Sequence, residues 1–117
     1  MSRNIREWTC DYASATEAGD YFQVLFEQTE DNDKRYVLIQ SQFELPQDYD
    51  VKVETDGGEW YAELTVERAT LDRQRLVLDG NDDGEPIRMI VNHTADDGTY
   101  EDLKRVLLIM VPGIDVK

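Results

Sequence analysis

The chain has one cysteine, Cys10, and one histidine, His93, so it can build at most one thiol–imidazole pair. Nucleophilic catalysis would require the imidazole to stand beside the thiol and draw off its proton. Cys10 lies within Trp8-Thr9-Cys10-Asp11-Tyr12, where a small residue in a strand is the commoner explanation, and His93 ends a strand pattern that runs into Thr94 and the acidic pair Asp96-Asp97. No G-x-S-x-G elbow, Walker-type loop, H-E-x-x-H or dinucleotide fingerprint accompanies them. One cysteine excludes an intrachain disulfide framework, and one Cys with one His cannot make a Cys/His zinc cage. No cofactor is expected, and the chain does not read as an enzyme.

Asp79-Gly80-Asn81-Asp82-Asp83-Gly84 fits the first six positions of a calcium loop, D-x-N-x-D-G, in which alternating oxygens wrap a hard cation around a glycine turn. The bidentate carboxylate due at the twelfth position falls on Ile90, and no helix pattern precedes Asp79. A hairpin turn explains the same residues, and no metal ligand is assigned. Carboxylate pairs suited to general acid–base work occur at Asp48/Asp50, Asp82/Asp83, Asp96/Asp97 and Glu101/Asp102. With 26 acidic residues among 117, such pairs arise by chance, and a solvated face accounts for them.

Composition says more about partners. Twelve Lys and Arg against 26 Asp and Glu give a formal charge of −14, with a pI near 4.2. Nucleic acid and anionic membrane are therefore poor partners, because both need a cationic face to displace counterions. A negative field instead attracts cationic proteins, raises their association rate and makes encounter salt-sensitive. The hydrophobic fraction of 40% is too high for a disordered acidic tail. No run approaches the roughly 18 apolar residues of a membrane span, and Met1 to Trp8 lacks the apolar core of a signal peptide, so a cytoplasmic location is expected.

The elements that must position any site have mostly period two. Trp60, Ala62, Leu64 and Val66 fall on one face, with Tyr61, Glu63, Thr65 and Glu67 on the other. Phe22, Val24 and Phe26 repeat the pattern, as do Ile87, Met89 and Val91, while Arg75–Leu78 and Val51–Glu54 are shorter candidates. Arg35–Gln40 is apolar on both faces, which predicts a central strand covered on its second side. The predicted cover is the last segment, where Leu103, Val106, Leu107 and Met110 recur at helical spacing. Thr99 is the expected N-cap of a helix from about Tyr100 to about Met110, with Pro112-Gly113 as its stop. Turn-forming residues at 29–34, 56–58 and 80–84 favour antiparallel neighbours. The expected fold is one α+β domain over residues 1–117, a twisted antiparallel sheet of about six to eight strands with a C-terminal amphipathic helix on one face.

This order of features resembles bacterial immunity proteins of polymorphic toxin systems, the immunity protein 10 type. The likeness spans Tyr21 to Gly113 and rests on an acidic strand pair leading into Tyr36-Val37-Leu38-Ile39-Gln40-Ser41-Gln42-Phe43-Glu44. It continues with Tyr49-Asp50-Val51-Lys52-Val53-Glu54, a strand around Tyr61 to Val66, Leu71 to Leu78, and a closing amphipathic segment. The resemblance implies a non-catalytic, antitoxin-like protein that neutralises a cognate toxin domain by stoichiometric association, and the negative charge separately suits a toxin with a basic active-site groove. The alternative reading is a structural or assembly subunit of a phage-like or secretion-related complex, self-associating through strand edges or an apolar patch. A homodimer is compatible with either. Independently of the resemblance, charge and strand parity nominate Asp31, Asp33, Asp82 and Asp83 in loops and Tyr61 on a strand face as partner-binding residues.

Overall fold

Period-two alternation builds the wall of this protein. The computed structural model describes residues 4–18, 21–28, 35–42, 50–55, 60–111 and 113–116. Along the chain these form β1 (Asn4–Thr9), β2 (Tyr12–Ala18), β3 (Tyr21–Glu27), β4 (Tyr36–Gln42), β5 (Asp50–Thr55), β6 (Trp60–Leu71), β7 (Arg75–Asp82), β8 (Glu85–Asn92), α1 (Asp97–Met110) and β9 (Asp115–Val116). The strands make one nine-stranded sheet, ordered β1-β8-β7-β6-β5-β4-β3-β2, with β9 paired to β6. The α+β class and the C-terminal helix are as the sequence predicts. Pairing from β2 through β8 is antiparallel, whereas β1 runs parallel to β8 and β9 parallel to β6.

The two ends of this order, β1 and β2, are one stretch of chain interrupted only by Cys10 and Asp11. Cys10 donates its backbone N–H to Asn92 O at 2.8 Å, extending the pairing with β8, and Asp11 donates to Glu27 O at 3.0 Å, starting the pairing with β3. Successive amides of an extended chain point to opposite sides. A single bent stretch thus supplies both ends of the strand order, β1 bonded to β8 and β2 to β3, and among the described residues no strand pairs with the other flank of either.

Inside the wall, Phe22, Val24 and Phe26 meet Val37, Ile39, Val51, Val53, Leu64, Leu78, Met89 and Val91, all buried. Each large aliphatic contributes about 1.5–3 kcal/mol by leaving water. The even-numbered set Trp60, Ala62, Leu64 and Val66 faces inward as its alternation predicts, with Ala62 and Leu64 fully enclosed. A register shift between Val66 and Arg68 then moves the inward set to Ala69 and Leu71. An inserted residue does this by reversing strand parity and bending the strand. The bend lets β6 serve two neighbours on one flank: β5 along residues 60–65 and β9 at Thr70 and Leu71.

The helix buries Tyr100, Leu103, Val106, Leu107 and Met110. It packs on β2 and β3, not over the second face of β4 as the sequence suggests. Ala13, Ala15 and Glu17 lie opposite Phe26, Val24 and Phe22 and so share the core side. The small alanines let a helix approach, and Arg105 on the helix donates to Glu17 Oε2 at 2.8 Å. On the outer side of β4, Leu38 stays half-buried beside its cross-strand partner Leu25. The N-cap also differs from expectation. Asp96 holds that position and its carboxylate accepts the Thr99 N–H at 2.7 Å, so the helix starts at Asp97. A charged acceptor at the positive helix end outcompetes the Thr99 hydroxyl.

Among the described residues no helix is long and apolar enough to cross a membrane. Outward wall positions carry Lys52, Glu63 and Arg88, while most inward ones are apolar. Membrane-spanning barrels show the reverse pattern.

Candidate functional site

Strand parity turns Tyr61 outward, where it is 52% exposed. The β5–β6 register places Glu54 directly opposite Tyr61 and Lys52 opposite Glu63. Two residues along β6, Glu63 Oε1 accepts the Tyr61 hydroxyl at 3.3 Å. Glu54 in turn accepts the Tyr36 hydroxyl at 2.9 Å, tying β4 into the same outer face. Desolvation first, then the carboxylates of Glu63, Asp82 and Glu54, hold the Tyr61 hydroxyl above the ordinary tyrosine range. The phenol therefore stays a neutral donor and an apolar face within a group of negative charges.

Asp82 and Asp83 reach this face through the β7–β8 hairpin. Asp82 pairs with Glu85, and the two turn residues Asp83 and Gly84 have φ of 51° and 88°. Positive φ at both central positions is the signature of a turn whose twist matches the strands, and Asp-Gly is a favoured pair for it. A surface depression of about 650 Å³ is lined by Glu63, Thr65, Asn81, Asp82, Asp83 and Gly84. Three of the five predicted contact residues, Tyr61, Asp82 and Asp83, thus share one region of the wall. Asp31 and Asp33 lie outside the described residues. Glu54 and Glu63 were missed as site residues. Alternation alone puts Glu63 beside Tyr61, whereas Glu54 needs the β5–β6 register, which no local pattern supplies.

The calcium-loop reading gives way to a hairpin. Asp79 is buried on β7 and held by Arg88, Nε to Oδ1 at 2.6 Å and the second nitrogen to Oδ2 at 3.0 Å. Asn81 donates to Glu67 Oε1 at 3.0 Å. Oxygens spent on these partners and spread along an extended strand do not wrap one point. Among the described residues no group of three or more His, Cys, Asp or Glu side chains is arranged to hold a metal ion.

Cys10 and His93 each follow the last β1–β8 pair, Thr9 with Asn92, after which Cys10 donates its backbone N–H to Asn92 O and His93 donates its own to Gln74 O. Each is only 2% exposed. Among the described residues neither His93 ring nitrogen has a hydrogen-bond partner, so no bond joins imidazole to thiol. Burial lowers the His93 pKa, partly offset by Asp72, and the ring packs 5.5 Å from Phe26. A recess of about 480 Å³ beside it is lined by Asp72, Gln74, Arg75, Asn92, His93 and Thr94. Asp72 is occupied there in accepting the backbone N–H groups of Gln74 and Arg75, both at 2.8 Å. The pair lacks the solvent-open thiol with an aligned base that acyl transfer needs.

No family model, curated protein or solved structure matches this chain.

Proposed function

We propose that the protein is a non-catalytic, immunity-type inhibitor that binds a cationic toxin domain stoichiometrically through the outer face of β5, β6 and the β7–β8 turn. The observation that carries this reading is the placement of an exposed Tyr61 among Glu54, Glu63 and Asp82. An aromatic anchor supplies affinity by burial and a hydroxyl donor, and surrounding carboxylates steer and orient a basic partner. The anchor stands on a strand whose other face is packed into the core, so little ordering entropy is lost on binding.

The test is a pull-down with the tagged full chain and two variants at low and high salt, with mass spectrometry of what co-elutes, followed by growth rescue on co-expression with any toxin domain recovered. Wild type should form a one-to-one complex and protect the cell, with association slowing as salt rises. Asp82→Lys/Asp83→Lys should slow association by about tenfold or more. Tyr61→Ala should speed dissociation. Capture and protection that survive both variants unchanged would refute this face. Recovery of the chain only as its own multimer would favour the assembly reading.

A further inference from the structure

The sequence of β4 is apolar on both faces, yet only one face is covered by this chain's helix side of the core. Val37 and Ile39 are buried inward, and α1, the one helix among the described residues, packs on the core side of β2 and β3. Leu38 points the other way and stays half-buried. An apolar outward side chain in mid-strand is the mark of a strand covered on its second face.

The strand registers continue this position into a row across the outer face. Leu38 stands opposite Leu25 on β3 and opposite Glu54 on β5, and Glu54 stands opposite Tyr61 on β6. Two residues along the strands, Tyr36 stands opposite Glu27, which stands opposite Tyr12 on β2. Tyr12 and Tyr61 are 50% and 52% exposed at the two sides of this face, while Leu25, Leu38, Glu27 and Glu54 are half-buried. Two leucines thus lie at the middle of a face flanked by tyrosines and carboxylates. From β2 to β5 and along β6 as far as Thr65, the described outward side chains carry Glu27, Glu54 and Glu63 against one cation, Lys52. The other exposed apolar pair, Leu108 and Ile109 on α1, lies one turn from Arg105 and lacks this acidic setting.

We propose that the outer side of β3 and β4 docks a basic amphipathic helix of the partner protein, with its apolar stripe on Leu25 and Leu38 and its lysines or arginines on Glu27, Glu54 and Glu63. A helix is about 10–12 Å across, enough to cover two strands about 4.8 Å apart and reach carboxylates on either side. The outward positions from Gln23 to Glu27 span roughly 14 Å, the length of about nine helical residues. An apolar centre with a charged rim is the usual anatomy of a protein interface, and carboxylates at the rim select a cationic partner. This rests on the reading of the partner as cationic and moves the centre of the footprint to the two leucines, with Tyr61 bounding it on the β6 side.

The experiment titrates the isotope-labelled full chain with a synthetic peptide of leucine and lysine patterned at helical spacing, about 14 residues long. The same residues in scrambled order serve as comparison, and NMR amide shifts are followed at about 0.15 M salt, where charges are screened beyond about 8 Å. The patterned peptide should bind saturably with a Kd of about 100 μM or tighter, with shifts centred on Leu25, Leu38 and Glu54, and the scrambled peptide about tenfold more weakly. Leu25→Ser/Leu38→Ser and, with less risk to folding, Glu27→Gln/Glu54→Gln should each weaken binding about tenfold, while Ile5→Ser on β1 should not change it. Shifts centred on Leu108 and Ile109 or scattered over the acidic loops, equal binding of the scrambled peptide, or unchanged binding by both double variants would overturn the proposal. Concentration-dependent shifts at Leu25 and Leu38 without peptide would also overturn it, since a second copy would then be the occupant. Toxin capture that persists in Leu25→Ser/Leu38→Ser would remove this docking site and leave the immunity reading, whereas peptide binding here with no toxin recovered would do the reverse.

Discussion

Gly80 stands so close to Thr65 across the β6–β7 pair that a Cβ on Gly80 would lie 2.4 Å from the Thr65 carbonyl oxygen. The contact falls beside the bulge, where Val66 pairs with Gly80. Backbone cannot swing aside as the end of a flexible side chain can. Gly80→Ala should therefore destabilise the fold by about 1–3 kcal/mol, as overpacking does. Gly113→Ala, with nothing within 4 Å of its Cβ, serves as the control and should change stability little. Urea unfolding of both variants checks this, and a Gly80→Ala midpoint equal to wild type would mean that β6 relaxes freely at its bend.

His93 should make stability fall in mild acid. Burial lowers its pKa in the fold, so the unfolded chain binds the proton first as pH drops. Its neutral form is equally available to both states above about pH 6.5, and stability is lost as pH falls from there toward the lower folded value. The slope has a ceiling of about 1.4 kcal/mol per pH unit. The backbone of Asp72 first, and its charge second, offset part of this lowering. The difference between wild type and His93→Leu, read from urea midpoints between about pH 7.5 and 5, should shift in the variant's favour as pH falls. Parallel curves would show that the ring titrates normally.

Legibility in the sequence followed the range of each interaction. The inward sets Phe22/Val24/Phe26 and Ile87/Met89/Val91 could be read because alternation is local, and the same parity put Tyr61 outside. The stretch that supplies both ends of the sheet could not. Its inward positions include Arg6, Ala13 and Ala15, a charge and two residues with weak strand preference, so no apolar stripe marks it. The parity reversal after Val66 was equally hidden, since an inserted residue has no composition of its own. Asp82 and Asp83 were found as a turn, but their approach to Tyr61 depends on strand pairing between segments distant in sequence.

Helix capping offers a sharper contrast between neighbours. Asp96 accepts the Thr99 N–H, and that bond is the first cause of its lowered pKa. Asp96→Ala should shorten the helix from its first turn and lower stability, whereas Thr99→Ala, which keeps the backbone donor, should do much less. A folded pKa below the usual carboxylate value means the contribution is present above about pH 4 and disappears as pH falls through the folded value. Asp96→Asn should retain the cap without that pH dependence. Amide exchange at Thr99 and Tyr100 reads the first turn directly, and equal protection in the Asp96→Ala and wild-type chains would show that packing alone holds it.

Charge sets the last expectation. Arg73, Lys104 and Arg105 form their ion pairs with Asp97, Glu101 and Glu17, on or against α1. The face around Tyr61 gathers Glu54, Glu63, Asp82 and Asp83 with Lys52 as its cross-strand cation. Folding brings these like charges together, so repulsion opposes the compact state. Added sodium chloride shortens the Debye length from about 30 Å at 0.01 M to about 8 Å at 0.15 M. Stability should therefore rise over that range even though exposed ion pairs weaken, since such pairs are individually worth about 0–1 kcal/mol. Replacing Asp82 and Asp83 together by Asn should raise stability at low salt and flatten its salt dependence. A wild-type urea midpoint that falls with salt would mean that the ion pairs outweigh the net charge of −14.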